Sequence, residues 1–132
     1  MNILEVKDLC KTYIVNKRQN NVLCNVNFTV SSGEMVAVMG PSGSGKSTLL
    51  YTVSGMDGIT SGEAKFCGKN IAEMSEKKLA DLRLDEMGFI FQQMYMLKNL
   101  TLLDNIILPA VQSNKNTETR KETMQRGQEL MR

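Results

Sequence analysis

The stretch Gly40-Pro41-Ser42-Gly43-Ser44-Gly45-Lys46-Ser47 decides the fold. It satisfies the pattern GxxxxGK[ST] without a mismatch. Met35 to Met39, five consecutive apolar residues, precede it and predict a strand buried on both faces of a sheet. Helical signals follow, running through Thr48, Leu49, Leu50 and Val53 to Gly55. Gly40, Gly43 and Gly45 let the backbone turn tightly and come close to phosphate oxygens without a β-carbon in the way. Successive N–H groups then point into one concavity, completed by the positive end of the following helix. In such a loop Lys46 reaches the β- and γ-phosphates and Ser47 offers its hydroxyl to Mg²⁺. The bland alternative is a glycine-rich turn that matches by accident; a strand before it and a helix after it argue against that.

Outward from this loop the chain alternates short elements. Ile3, Leu4, Val6 and Leu9 predict a short first strand, Asn16 to Asn21 a polar hairpin loop, and Val22 to Val30 a second strand with alternating apolar residues. Ser31-Ser32-Gly33-Glu34 reads as a turn, and Ser61-Gly62-Glu63 as a turn leading into a strand at Ala64 to Cys67. Ser75 is placed to cap a helix carrying Leu79 and Leu82, and the charged stretch Glu73 to Glu86 reads as a solvated helix face. Gly88-Phe89-Ile90-Phe91 predicts another compact strand. Thr101 with Asp104 resembles a capping box for a helix that Pro109 is expected to disturb, and Thr119 with Glu122 opens a last helix. That helix reaches Arg132 without a glycine or asparagine cap, so the sequence is expected to stop inside a helix.

Composition narrows the chemistry. The 132 residues suit one domain with one core. There is no histidine, which excludes a His-dependent triad and a histidine metal site. A net charge of +2 from 16 basic and 14 acidic residues gives no electrostatic case for nucleic acid as the main partner. Cys10, Cys24 and Cys67 are odd in number and unpaired in spacing, as expected of free thiols in a reducing compartment. Glu5, Lys7, Asp8 and Lys11 exclude a signal-peptide core at the start, and no apolar run approaches the roughly 18 residues that span a bilayer.

Several segments together resemble the ATP-binding-cassette (ABC) ATPases. Gly40 to Thr48, GPSGSGKST, looks like that family's version of the loop. Leu9-Cys10-Lys11-Thr12-Tyr13 resembles the segment ending in its adenine-stacking aromatic. Thr60-Ser61-Gly62-Glu63 resembles its TSGE turn, Gly88-Phe89-Ile90-Phe91-Gln92 the strand entering its Q-loop, and Thr101 to Pro109 (TLLDNIILP) the stretch beyond that loop. The GFIFQ and DNIILP versions are similar to the subgroup that serves macrolide, lipoprotein-release and bacitracin-type export permeases.

The resemblance implies an incomplete α/β P-loop fold, with antiparallel strands in residues 1–39, the P-loop and its helix in 40–55, a stretch to the Q-loop in 56–92, and the start of a helical subdomain in 93–132. It implies ATP and Mg²⁺ as cofactors. Tyr13, Gly40, Ser42, Gly43, Ser44, Gly45, Lys46, Ser47 and Thr48 would contact the nucleotide, Ser47 and Gln92 the metal, and Gln92 would take part in catalysis. From spacing alone, Tyr13 reads better as partly buried core and Gln92 as an exposed loop residue, and it is the resemblance that reverses both readings. Stacking of a base on Tyr13 would contribute about 1–3 kcal/mol. Met94, Tyr95, Met96 and Leu97 read either as core or as a docking surface for a partner helix; the resemblance favours a permease.

The family's LSGGQ signature, its apolar strand ending in Asp-Glu and its switch histidine are not found in the sequence. Leu82-Arg83-Leu84-Asp85-Glu86 imitates the acidic strand poorly, since Arg83 breaks the apolar run and the segment reads as helix. The implied protein is therefore an ATP-binding subunit, at the inner face of the cell membrane, that pairs with a permease and with a second ATP-binding subunit. These residues alone are expected to bind nucleotide weakly, turn over negligibly and self-associate through an unpaired strand edge. A non-catalytic module that docks on a permease, or an ABC ATPase of DNA repair or translation, are the alternatives.

Overall fold

A computed structural model describes residues 1–132, which divide into two compact units, Met1–Leu79 and Ala80–Arg132. In the first unit, strands β1 (Asn2–Val15) and β2 (Arg18–Ser31) form a long antiparallel hairpin. Strand β3 (Ser61–Phe66) pairs antiparallel with the other edge of β1, and the two-residue β4 (Lys69–Asn70) extends the sheet to the order β2-β1-β3-β4. Helix α1 (Lys46–Val53) lies between β2 and β3 in sequence. Its buried Leu49, Thr52 and Val53 belong, with Val6, Leu9, Leu23, Ala64 and Ile71, to the apolar interior of this unit.

Both hairpin strands are longer than their apolar residues predict. The turn contains only Asn16 and Lys17, with φ of 51° and 63°, and Val15 pairs directly with Arg18. Two successive left-handed residues are the signature of the tight turn whose twist matches that of the strands it joins. Pairing therefore continues through polar residues that composition places in a loop, including Thr12 opposite Asn21, where the Thr12 hydroxyl donates to Asn21 Oδ1 at 2.8 Å. The turn at Ser31–Glu34 is as expected, with Glu34 N–H bonded to the Ser31 carbonyl.

Two expected strands are absent. Met35–Met39 is outside every ladder, and it is exposed rather than buried, Met35 to 97% and Met39 to 87%. Gly88–Phe91, in the second unit, is also unpaired, and Ile90 is fully exposed. Both have strand composition, but a strand needs a neighbour to accept its N–H groups; β1 is already flanked on both sides, by β2 and β3.

The helix α2 (Glu76–Glu86) starts in the first unit, with Lys78 N–H donating to the Ser75 hydroxyl as the Ser75 cap predicts. In the second unit, α3 (Leu102–Gln112) packs on α4 (Arg120–Leu130). A Cβ on Gly127 would lie 2.5 Å from Ile107 Cγ2 and 2.8 Å from Leu103 Cδ1, so α4 approaches α3 as closely as it does only because this position has no side chain. Pro109 does not break α3, contrary to expectation; the helix continues three residues past it and Ser113 N–H bonds the Pro109 carbonyl. Packing of Leu103 and Ile107 on α4 and a capping box at Thr101 compensate for the one missing donor.

Candidate functional site

The loop Gly40–Gly45 leads into α1 with Gly45 as its N-cap residue at φ 92°. A side chain there would be strained and would also press on β2, since a Cβ would stand 3.0 Å from Val22 Cγ1 and 3.2 Å from the Val22 carbonyl oxygen. No side chain caps α1 and no acidic residue occupies its first turn. The free N–H donors and positive dipole end of the helix are therefore neither neutralised nor screened by the chain itself. Lys46 folds back across the loop: its ammonium donates to the Gly40 and Pro41 carbonyls, each at 2.7 Å, and lies 3.4 Å from the Ser44 hydroxyl. Ser44 N–H bonds the Pro41 carbonyl and closes the turn. The loop residues Gly40 to Ser44 and Ser47 are exposed, while Lys46 and Thr48 are half-buried.

These residues fit a triphosphate. The uncapped donors and Lys46 favour anionic oxygens, and Ser47 carries an exposed hydroxyl at the second position of the helix. No cluster of three or more His, Cys, Asp or Glu exists. A Mg²⁺ here would therefore be held by the Ser47 hydroxyl together with phosphate oxygens, as hard-cation chemistry with nucleotides ordinarily requires.

Tyr13 lies two residues before the end of β1, in the same unit, and is half-buried. Its hydroxyl donates to Asp57 Oδ2 at 2.6 Å. That bond raises the phenol above its ordinary pKa, with burial adding to the effect and a hydroxyl contact from Thr48 opposing it. Asp57 lies in the turn after α1 and also accepts from Lys11 Nζ at 2.7 Å. Burial works against its ionisation, yet the hydrogen bonds from Lys11 and Tyr13 and the Lys11 charge prevail and hold the carboxyl below its usual value. Lys11 falls inside the Leu9–Tyr13 segment without a role of its own there, and Asp57 falls in no motif. The available signal was a lysine midway between Leu9 and Tyr13, on the same face of a strand by alternation.

Gln92 belongs to the second unit, where it is exposed on the irregular stretch after Phe91. Phe89 and Phe91 stack at 5.8 Å and Tyr95 meets Phe91 edge-on at 5.1 Å. Of the two readings of the methionine cluster, packed core does not hold: Met94 is 89% exposed and Tyr95 68%. Glu73–Glu86 is largely a solvated stretch, as its charge predicts.

The chain matches the ABC transporter family model over residues 23–131. It is 38% identical over 132 residues to the macrolide export ATP-binding/permease protein MacB of Mannheimia succiniciproducens, covering all of this chain and 20% of that protein. It is 40% identical over 124 residues to the MacB of Chlorobium phaeobacteroides and 36% over 124 to that of Chlorobaculum tepidum, covering 94% of this chain and 19% of each relative. Among solved structures it resembles the dimeric bacterial ABC transporter cassette MJ0796, including a post-hydrolysis state bound to ADP and phosphate. Both comparisons give a TM-score of 0.89 at 34% identity, over 96% of this chain and 54% of the cassette. The chain thus spans about a fifth of the length of the curated relatives and about half of the solved cassettes. With the loop, the antiparallel sheet and these matches in agreement, the chain belongs to the ABC transporter family and carries the P-loop portion of its ATP-binding cassette.

Proposed function

We propose that the chain holds Mg²⁺-ATP through Gly40–Thr48 and Tyr13 and serves the ATP-binding subunit of an export transporter. The observation that carries this is the start of α1: an uncapped helix N-terminus, free of acidic residues, with Lys46 laid across the loop. The Lys46 ammonium already donates to two carbonyls of the loop, so it is oriented before ligand arrives and little of its side-chain entropy remains to be lost on binding. Ser47 would hold Mg²⁺ with the phosphates, and the family resemblance assigns Gln92, in the second unit, an amide oxygen for the metal and a part in catalysis. Bound Mg²⁺ supplies neutralisation of phosphate charge; the protein supplies position and hydrogen-bond donors.

Several wider roles follow from the relatives. Their names include a permease, and the solved cassettes are dimers, which supports a permease partner and a second ATP-binding subunit for this chain. The exposed methionines and Tyr95 after Gln92 suit a permease helix, since methionine adapts to an irregular apolar partner. No helix is long and apolar enough to cross a membrane, in keeping with a peripheral place at the cytoplasmic face. Of the drug, peptide and lipoprotein cargoes that the subgroup resemblance implies, the macrolide-export relatives favour a drug.

Residues 1–132 contain no LSGGQ, no apolar Asp-Glu strand and no histidine, so we assign them binding with negligible turnover when alone. The exposed Met35–Met39 stretch supports self-association through backbone pairing. Light scattering at rising concentration tests this, and a single monomeric species would overturn it. The nucleotide assignment is tested by calorimetric titration of Mg²⁺-ATP into the chain and into Lys46→Ala. Binding that disappears in the variant supports it; binding of equal strength, or none in the wild type, refutes it.

A further inference from the structure

Lys11 is 8% exposed, an unusual position for a lysine, and it lies outside the phosphate loop. Three groups compensate its burial. The ammonium donates to Asp57 Oδ1 at 2.7 Å and to the Gly58 carbonyl at 2.6 Å, and it stands over the Tyr13 ring, 4.8 Å from the centroid. Asp57 in turn is held on both sides. Its Oδ1 also accepts from Gly58 N–H at 2.8 Å, and its Oδ2 accepts the Tyr13 hydroxyl at 2.6 Å.

The consequence is a ring fixed at two places. Asp57 holds its hydroxyl end, and Lys11 occupies one of its faces, where the cation is attracted to the ring's negative π-density. Lys11 and Tyr13 are two residues apart on β1, so strand alternation puts both on one side of the sheet, and the turn after α1 brings Asp57 to meet them. The carboxylate joins a strand residue to the end of the P-loop helix, and with it the ring to the element that starts at the phosphate loop.

We propose that Lys11 and Asp57 are positioning residues for Tyr13, blocking one face of its ring and orienting the other to stack on the base of a nucleotide whose phosphates lie at Gly40–Ser47. The proposal rests on the nucleotide assignment made above. Neither residue touches the ligand. They act by preorganisation: a ring already held in place gives up less freedom when a base stacks on it.

Titration of the full chain with Mg²⁺-ATP and, separately, with Mg²⁺-tripolyphosphate distinguishes the two assignments. Tripolyphosphate reads the phosphate loop alone, and the ratio of the two affinities reads the base. In Asp57→Ala and Lys11→Met the ATP affinity is expected to fall about five- to tenfold, the lower part of what base stacking contributes, while tripolyphosphate binding is retained. Asp57→Asn keeps an acceptor for the Tyr13 hydroxyl and should recover part of the preference. An affinity ratio in Asp57→Ala equal to that of the wild type overturns the proposal while leaving the phosphate site standing. Failure of the wild type to bind either ligand overturns both. Should Asp57→Ala lose its circular-dichroism signature of folding, Tyr13→Phe decides: it keeps the ring, deletes only the anchored hydroxyl, and must lower the ratio for the proposal to survive.

Discussion

Helix α1 and the helices α3 and α4 begin in opposite ways. Thr101 caps α3 with its hydroxyl on Asp104 N–H, and Asp104 returns a bond to Thr101 N–H; Thr119 and Glu122 repeat this at α4. Each box satisfies two orphan donors and sets an acidic side chain against the positive end of the dipole. At α1 the corresponding place is taken by Gly45, with no side-chain cap and no acid in the first turn. The contrast separates structure from function. The packing helices complete their own termini, whereas the terminus of α1 stays open, as the proposed anion site requires.

The largest expected effect is that of an anion at the start of α1. Tripolyphosphate at a hundred times its dissociation constant should stabilise the first unit against denaturant by about 2.7 kcal/mol, and Lys46→Ala should abolish the shift. A shift that survives in Lys46→Ala would place the anion elsewhere and break the contrast. Next in size is Gly45→Ala, where a left-handed φ of 92° and the tight approach to Val22 both oppose a side chain. A cost of about 1–3 kcal/mol is expected from the strained backbone, seen as a lower denaturation midpoint. An unchanged midpoint would show that the start of α1 is not constrained as described.

Removing the boxes tests the other side. Thr101→Ala and Thr119→Ala should each cost about 1 kcal/mol, read as loss of helical signal from the second unit on denaturation, and leave tripolyphosphate affinity unchanged. A box variant that weakened anion binding would mean that the two kinds of terminus are not independent.

The same contrast explains what the sequence could disclose. Both capping boxes and the phosphate loop are local patterns, in which a donor and its acceptor lie three residues apart or a glycine's conformation sets the turn, so Thr101, Thr119 and Gly40–Ser47 were legible from spacing. Met35–Met39 and Gly88–Phe91 were misread because strand structure depends on a neighbour, and composition alone supplies none. The hairpin was underestimated for a related reason: Gln19, Asn20 and Asn21 have poor strand composition, but the turn at Asn16–Lys17 brings them opposite Ile14, Tyr13 and Thr12. Asp57 was invisible because its partners Lys11 and Tyr13 are more than forty positions away in sequence. Tyr13 itself became legible only through family resemblance.

The smallest expected effect is the dependence on acidity of the capped helices. Hydrogen bonds from the Thr101 side chain and backbone hold Asp104 below its ordinary pKa, with burial opposing them, and Thr119 does the same for Glu122. Because each folded pKa lies below the unfolded one, each box contributes stability above the unfolded values of 3.8 and 4.5 and loses it as pH falls through the lowered folded values. Asp57 in the first unit shifts in the same direction, so acid loosens that unit too, through its bonds to Lys11 and Tyr13. Asp104→Asn with Glu122→Gln should therefore flatten the acid limb of the α3–α4 helical signal without altering that of the first unit. An acid limb unchanged by both substitutions would mean that the boxes are not what titrates. The uncapped start of α1, which has no carboxylate in its first turn, contributes nothing to the acid limb in either case.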